Sequence, residues 1–184
     1  MTARIKRMNL FLPDLAVDSY KELDLAALKA AGIRLLLCDV DNTISVLGDT
    51  ACHDDVTNFL HKVKASGLDV VLFTNNTRAH ALRVLHGKPD VPLRTFVCKP
   101  LPFSIWRVLL EKRLAPSQAA VFGDQLFTDI LGGSLAGVKT ILSAPLSEKE
   151  RKDTQFLRRL EERVYASLER KGKLKREGHH VRIL

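Results

Sequence analysis

Short apolar runs alternate with segments of helical period along most of this chain, and that alternation restricts the fold more than any other feature. Ile33–Cys38, Asp69–Phe73, Arg94–Cys98, Gln118–Phe122 and Val138–Leu142 read as strands. Asp24–Ala30, His53–Ser66, Thr77–Leu85, Pro102–Arg113, Leu126–Leu135 and Glu148–Lys171 read as helices, with Gly32, Gly67 and Gly137 punctuating helix ends. Strands separated by helices pair in parallel, and a parallel sheet needs helices on both faces. The expectation is therefore an α/β, three-layer, Rossmann-like fold around a five-stranded parallel sheet. A sixth apolar run at Met8–Leu12 is set aside as too weak. No internal repeat interrupts the pattern, so residues 1–184 are expected to form one domain, with an amphipathic basic helix and tail over about residues 147–184.

Composition narrows the setting. With 46% apolar and 27% charged residues, the chain has the balance of a water-soluble domain with one core. No stretch approaches the roughly 20 apolar residues needed to cross a bilayer, and the start lacks a signal-peptide core. Cys38, Cys52 and Cys98 form no Cys-x-x-Cys pair, which argues against a zinc site and for a reduced, cytoplasmic setting. The net charge of +8 is unevenly placed. Residues 14–147 carry 14 basic and 14 acidic side chains, so the excess lies in Arg4, Lys6 and Arg7 and in residues 148–184, with 12 basic and 7 acidic. Basic ends on a neutral body suit an anionic surface or act as a solubilising tail. In the last helix Phe156, Leu160, Val164 and Leu168 recur every four residues, a stripe that either packs on the sheet or lies on a membrane.

Polar residues cluster where the strands end. Asp39-Val40-Asp41-Asn42-Thr43 follows the strand ending at Cys38, and residues two apart on an extended chain point the same way, so both acids can face one crevice. Ligands of open parallel sheets bind at that carboxyl edge. Adjacent carboxylates repel unless a cation neutralises them or one is protonated; both circumstances serve phosphoryl transfer. Asp-x-Asp-x-Thr alone is only moderately specific, since a turn with capping acids would read alike. Three further clusters follow in order, each after a later strand: Thr74-Asn75-Asn76, Lys99-Pro100, and Gly123-Asp124-Gln125-Leu126-Phe127-Thr128-Asp129. Each has a bland reading as cap, surface lysine or turn; their recurrence at successive strand ends does not.

The four clusters resemble the motifs of haloacid dehalogenase superfamily phosphatases, and the set is most similar to the capless YqeG type, related to phosphatidylglycerophosphate phosphatases. The resemblance runs from Leu12-Pro13-Asp14-Leu15 to Arg170-Lys171-Gly172. It departs after Gly132-Gly133, where that type often has Asn-Arg and this chain has Ser134-Leu135. The resemblance implies a Mg²⁺-dependent phosphomonoester hydrolase with Asp39 as nucleophile, forming an aspartyl phosphate, and Asp41 as general acid and base. Asp39, Asp124 and the Asp41 backbone carbonyl would hold the metal. Thr74, Asn75 and Lys99 would bind the phosphoryl group, Asp129 would orient Lys99 or a water, and Thr43 and Thr128 would support the loops. No histidine is given a catalytic role, His80 included, and Phe103 and Trp106 are expected as core or rim residues.

The superfamily's cap domains have no room here: residues 44–52 form at most a short flap with Gly48, and one helix and one strand separate Thr74 from Lys99. An open site favours a bulky phosphorylated substrate. The basic ends and the resemblance together point to phosphatidylglycerophosphate presented at the inner face of a membrane. A phosphatase of soluble phosphate esters or phosphoproteins is the alternative. A nucleic-acid or ribosome-binding protein with an idle site is disfavoured by the intact acids. Oligomeric state is not legible in the sequence.

Overall fold

In the computed structural model the structure describes residues 9–46, 52–87, 89–147 and 152–184. The element order is β1 (Leu15–Val17), α1 (Leu25–Ala30), β2 (Leu35–Cys38), α2 (Cys52–Ala65), β3 (Asp69–Phe73), α3 (Arg78–Val84), β4 (Leu93–Arg94), α4 (Phe103–Lys112), β5 (Ala119–Gly123), α5 (Leu131–Ala136), β6 (Lys139–Ser143), α6 (Lys152–Arg170), β7 (Leu174–Glu177) and β8 (His180–Ile183). Strands β1 to β6 form one sheet in the order β1-β6-β5-β2-β3-β4, with every pairing parallel.

The two-residue alternation of side chains sorts the core into two layers. Leu36, Cys38, Val70, Leu72, Ala120 and Phe122 face α2, whose Val56, Phe59, Leu60 and Val63 cover them. Leu35, Leu37, Val71, Phe73 and Val121 face the other way, toward Ile105, Val108 and Leu109 of α4. All four β2 residues are buried, as a strand covered on both faces requires. Each fully buried Leu, Ile, Val or Phe contributes about 1.5–3 kcal/mol relative to exposure.

Three features of the fold lie beyond the sequence reading. The sheet has six strands rather than five, and the sixth is Leu15–Val17, not the Met8–Leu12 run; Met8 lies outside the described residues and Leu10–Leu12 form a turn. This short strand is pinned by Asp14. Its backbone N–H donates to the Thr140 carbonyl at 3.0 Å, and its carboxylate accepts from the Thr140 N–H at 2.9 Å and from Lys139 Nζ at 2.9 Å. The Arg94–Cys98 run keeps only Leu93–Arg94 as strand, because Phe96 (φ 52°) and Cys98 (φ 58°) adopt left-handed backbone that breaks the extended path. The tail is ordered: β7 and β8 form an antiparallel hairpin, with Gly178 (φ 64°) in its turn.

That hairpin packs with α6. Tyr165, Leu168 and Leu174 join Leu126, Ile130 and Leu142 in a third cluster, with Phe11, Leu12, Val164, Val181 and Ile183 against it. The α6 stripe, over its described part, is thus an internal packing face. Phe156 and Leu157 lie outside the described side chains. Among the described residues no helix is long and apolar enough to cross a membrane.

Candidate active site

Register places the polar clusters. Cys38 pairs with Leu72 of β3 and with Phe122 of β5, so the three strands end level and the residues that follow meet at one rim. Asp39 comes from β2, Thr74 from β3 and Asp124 from β5. The chain turns from β2 toward β3 on one side and returns through β5 on the other, so Asp39 and Asp124 flank the switch point where such sheets bind ligands. The Thr95–Cys98 loop leads Lys99 in from beyond β4, anchored by Val97 N–H on the Thr74 carbonyl at 3.4 Å.

The centre is a buried ionic cluster. Lys99 Nζ donates to Asp39 Oδ1 at 2.5 Å, to Asp129 Oδ1 at 2.7 Å and to the Phe73 carbonyl at 3.1 Å. Thr43 Oγ1 lies 3.2 Å from Asp39 Oδ2 and 3.0 Å from Asp124 Oδ1, bridging the two acids. One hydroxyl proton serves only one of them at a time. Carboxylate oxygens of Asp39, Asp124 and Asp129 all lie within 4.8 Å of one another, and all three residues are buried. Three buried carboxylates gathered about one lysine repel one another, and a cluster of that kind calls for a divalent cation or for protonation.

The electrostatics carry the same imprint. Burial pushes the Asp39 carboxyl well above the ordinary carboxylate range; Lys99 pulls it down, and Asp129 and Asp124 add to the rise. Burial also works against the Lys99 ammonium, yet Asp129 and Asp39 outweigh it and hold its pKa above the usual lysine range. Lys99 is therefore a fixed cation. All-oxygen donors of high charge are the set that Mg²⁺ takes in preference to softer metals, so Asp39, Asp124 and Asp129 fit that ion.

The absence of a side chain at two glycines makes the cluster possible. A Cβ on Gly123 would stand 2.2 Å from Asp129 Cγ, so the end of β5 admits the Asp129 side chain only as glycine. A Cβ on Gly132 would meet the Pro100 backbone at 3.3 Å, so α5 and the Lys99 loop touch there. Asp129 itself sits in a π-helical turn, Leu126–Ile130, where Gln125 N–H and Thr128 Oγ1 donate to its Oδ2 at 3.2 and 3.1 Å.

Around this centre the remaining residues divide. The Asp41 carboxylate is turned to the α3 side: Oδ2 accepts from Thr74 Oγ1 at 3.2 Å and Asn76 Nδ2 at 2.9 Å, and Oδ1 lies 2.5 Å from His80 Nε2. Its side chain stays 31% exposed, so it faces both the site and solvent. Asn75 donates through Nδ2 to the Lys99 carbonyl at 3.0 Å and accepts from the Lys99 N–H at 2.7 Å, which ties the Lys99 loop to the end of β3. Asp129 belongs to the acidic group that could hold an ion, while the Asp41 carboxylate does not.

Three participants were given no individual role in the sequence reading. His80, read as lacking a paired acid, pairs with Asp41 across 39 residues. Asn76 holds the same carboxylate. Asn42 (φ 61°) exchanges side-chain hydrogen bonds with the Ser147 backbone at 2.9 and 2.7 Å, closing the loop that carries Asp41. Asn is among the few residues that tolerate that conformation, which is the one signal the sequence held. Phe103 and Trp106, expected as core or rim residues, lie outside the core and are exposed.

The family described as "Mitochondrial PGP phosphatase" matches residues 1–147. The chain is 28% identical to "Probable phosphatase YqeG" of Bacillus subtilis (strain 168) over 167 residues, covering 91% of this chain and 96% of that one. It is 29% identical over 159 residues to "Phosphatidylglycerophosphate phosphatase 1, chloroplastic/mitochondrial" of Arabidopsis thaliana, covering 79% of this chain and 44% of that protein, so it spans less than half of that relative. Among solved structures, an uncharacterized protein from Listeria monocytogenes serotype 4b superposes with a TM-score of 0.49 at 16% identity, over 65% of this chain and 84% of that one, a distant likeness. A family match over four-fifths of the sequence thus falls on the strands that carry the acidic rim, and the chain belongs to the mitochondrial PGP phosphatase family, as a phosphoric monoester hydrolase of the haloacid dehalogenase type.

Proposed function

We propose that this protein is a Mg²⁺-dependent phosphatase that works through an aspartyl phosphate on Asp39, and that its substrate is phosphatidylglycerophosphate. The observation that carries the chemistry is the buried set Asp39, Asp124 and Asp129, close enough to share one ion and joined by Lys99, at the switch point of the sheet. Asp39 and Asp124, with Asp129 beside them, are the side chains that would hold the ion, and the ion would supply charge neutralisation for the incoming phosphate.

An Asp39 carboxylate oxygen forms a bond to phosphorus while the bond to the ester oxygen breaks, its electron pair staying with the leaving alcohol. Asp41 gives that oxygen its proton. A water then attacks phosphorus, returns a proton to Asp41 and displaces the Asp39 carboxylate, releasing inorganic phosphate. Lys99 would stabilise charge on the phosphoryl oxygens, and its ammonium opposes the burial that raises the Asp39 carboxyl. Thr43 holds Asp39 and Asp124 at a common spacing.

The lipid substrate draws its support from the family description and from the named activity of the Arabidopsis relative. The open rim adds to it, since only α3 and β4 lie between Thr74 and Lys99 and leave no room for a cap there. The test is hydrolysis of p-nitrophenyl phosphate and of phosphatidylglycerophosphate with Mg²⁺, with EDTA, and by Asp39→Asn. We expect activity on both with Mg²⁺, loss with EDTA, loss of at least about 1,000-fold in Asp39→Asn, and an acid-stable, hydroxylamine-labile phosphate on the wild type alone. Equal rates in wild type and Asp39→Asn would remove the nucleophile. Turnover of soluble esters with none of the lipid would remove the lipid substrate and leave the mechanism standing.

A further inference from the structure

We propose that the exposed aromatic face of α4, together with the loop that carries Lys99, is a docking surface for an anionic phospholipid bilayer. This deepens the reading above and rests on it for the choice of a bilayer as partner; the surface itself has its own observations.

α4 is two-sided. It buries Ile105, Val108 and Leu109 against the sheet, and it shows Phe103 (65% exposed), Trp106 (41%) and Leu110 (79%) on the opposite stripe, spaced three and four residues apart. Phe96 and Leu101, on either side of Lys99 in the chain, are 65% and 52% exposed. The left-handed backbone at Phe96 is an uncommon conformation for a bulky residue, yet here it leaves the ring in solvent. Phe103 and Trp106 meet edge to face at 5.7 Å. Trp106 Nε1 donates to the Ala136 carbonyl at 3.2 Å, linking the face to α5, where Leu135 is also exposed. Single exposed apolar residues need no explanation, but five on one helix and its leading loop form a patch that does.

Within the last helix, whose stripe the sequence left open to membrane contact, Tyr165 and Leu168 are buried.

Charge favours lipid over a second copy of the chain. Lys99 is matched inside the site and Lys112 by Asp69. Arg94 and Arg107 share Glu111, and Arg113 has no acidic partner among the described residues, which leaves an excess of two positive charges beside the patch. A recess of about 320 Å³, lined by Arg94, Thr95, Ser104, Arg107 and Glu111 among others, opens at the same place. Two such faces brought together would repel, whereas acidic headgroups would be attracted and the indole would sit at the interface that tryptophan prefers. With Lys99 between Phe96 and Leu101, docking there brings the catalytic rim to the headgroup plane without a cap to lift.

Trp106 is the only tryptophan in the chain, so it reports on this face alone. The experiment is emission of the full-length protein titrated with phosphatidylglycerol-containing vesicles, with and without brominated acyl chains, alongside vesicle co-sedimentation of the wild type and of Phe103→Asp/Leu110→Asp. The expected result is a blue shift, quenching by the brominated chains, and a loss of vesicle affinity of about 100-fold in the double variant, with p-nitrophenyl phosphate turnover unchanged. Unmoved Trp106 emission at saturating vesicles overturns the proposal. So does a double variant that sediments like the wild type, since the basic ends then do the binding, or a concentration-dependent dimer that the double variant dissolves. Should that variant misfold, Leu110→Ser replaces it, and the wild-type quenching needs no variant. Phosphatidylglycerophosphate in detergent micelles separates the two proposals. Turnover in micelles without a Trp106 response removes the docking surface only, and docking without turnover removes the lipid substrate only.

Discussion

His80 Nε2 lies 2.5 Å from Asp41 Oδ1, so a residue of α3 holds the acid that stands just past the end of β2. With Thr74 and Asn76 on the other oxygen, the carboxylate is fixed from one side and open to the site on the other. His80 is accordingly a positioning residue. His80→Ala should lower kcat for p-nitrophenyl phosphate about 10-fold with KM nearly unchanged, because the acid is misplaced while the phosphate grip survives. His80→Gln, which can still donate to the carboxylate, should recover most of the loss. Equal rates in His80→Ala and wild type would mean that Asp41 needs no such support.

Lys99 is the one cation among three buried acids, and its removal should show in stability as well as in rate. Lys99→Met leaves Asp39 and Asp129 without their partner, which costs about 3–5 kcal/mol when a buried pair is broken from one side. Mg²⁺ should then raise the melting temperature of the variant more than that of the wild type, since a ligand of the folded state stabilises by mass action. Thermal melts in EDTA and in Mg²⁺ measure this. No response to Mg²⁺ in either protein would deny that the acids form a cation site.

Gly123→Ala tests the close approach of β5 to the π-helical turn. The added methyl lands 2.2 Å from Asp129 Cγ and 2.6 Å from its Cβ, so the whole side chain has to move and loosen its hold on Lys99. Overpacking of this kind costs about 1–3 kcal/mol, and kcat should fall about 10- to 100-fold with it, the size of a weakened transition-state contact. Gly132→Ala, at 3.3 Å from Pro100, should be milder on both counts. Urea unfolding and steady-state kinetics on both variants decide the order.

Asp14 gives the fold an acid-sensitive fastening. Burial raises its pKa, but the Lys139 and Thr140 contacts outweigh that and hold it below the ordinary carboxylate value. A carboxyl depressed in the folded state contributes stability above its unfolded pKa of about 3.9 and loses it as pH falls through the folded value. Because Asp14 and Lys139 are both substantially exposed, Asp14→Ala should cost only about 1 kcal/mol at neutral pH, or about 2–4 °C in melting temperature. That gap between wild type and variant should close below about pH 4. A gap that persists at pH 2 would assign the effect to packing of β1 instead.

Local pattern accounts for what could be read directly. Leu35–Cys38 and Asp69–Phe73 announce themselves by apolar runs, and Asp39, Thr74 and Asp124 directly follow strands, so their arrival at one rim follows from parallel register, whereas Lys99 is brought in by the loop after β4. The strand Leu15–Val17 was invisible because three residues, one of them exposed, have no period; Asp14 and Thr140, far apart in the chain, make it a strand. The hairpin Leu174–Ile183 was hidden by its charges, and only its packing on α6 and β1 gives those residues a face to bury.

The sequence by itself determined the layers, the parallel sheet and the roster of acids, because periodicity and strand-end position are properties of neighbours along the chain. Tertiary structure alone decided which groups touch: His80 with Asp41, Asp129 with Lys99, Thr43 between Asp39 and Asp124. It also decided that the described part of the α6 stripe is packed inward, while α4 buries one apolar stripe and leaves a second, Phe103, Trp106 and Leu110, in solvent. Two amphipathic helices carry the same kind of pattern, and what a pattern faces depends on which other surfaces arrive to cover it, a matter of long-range packing that no local spacing encodes.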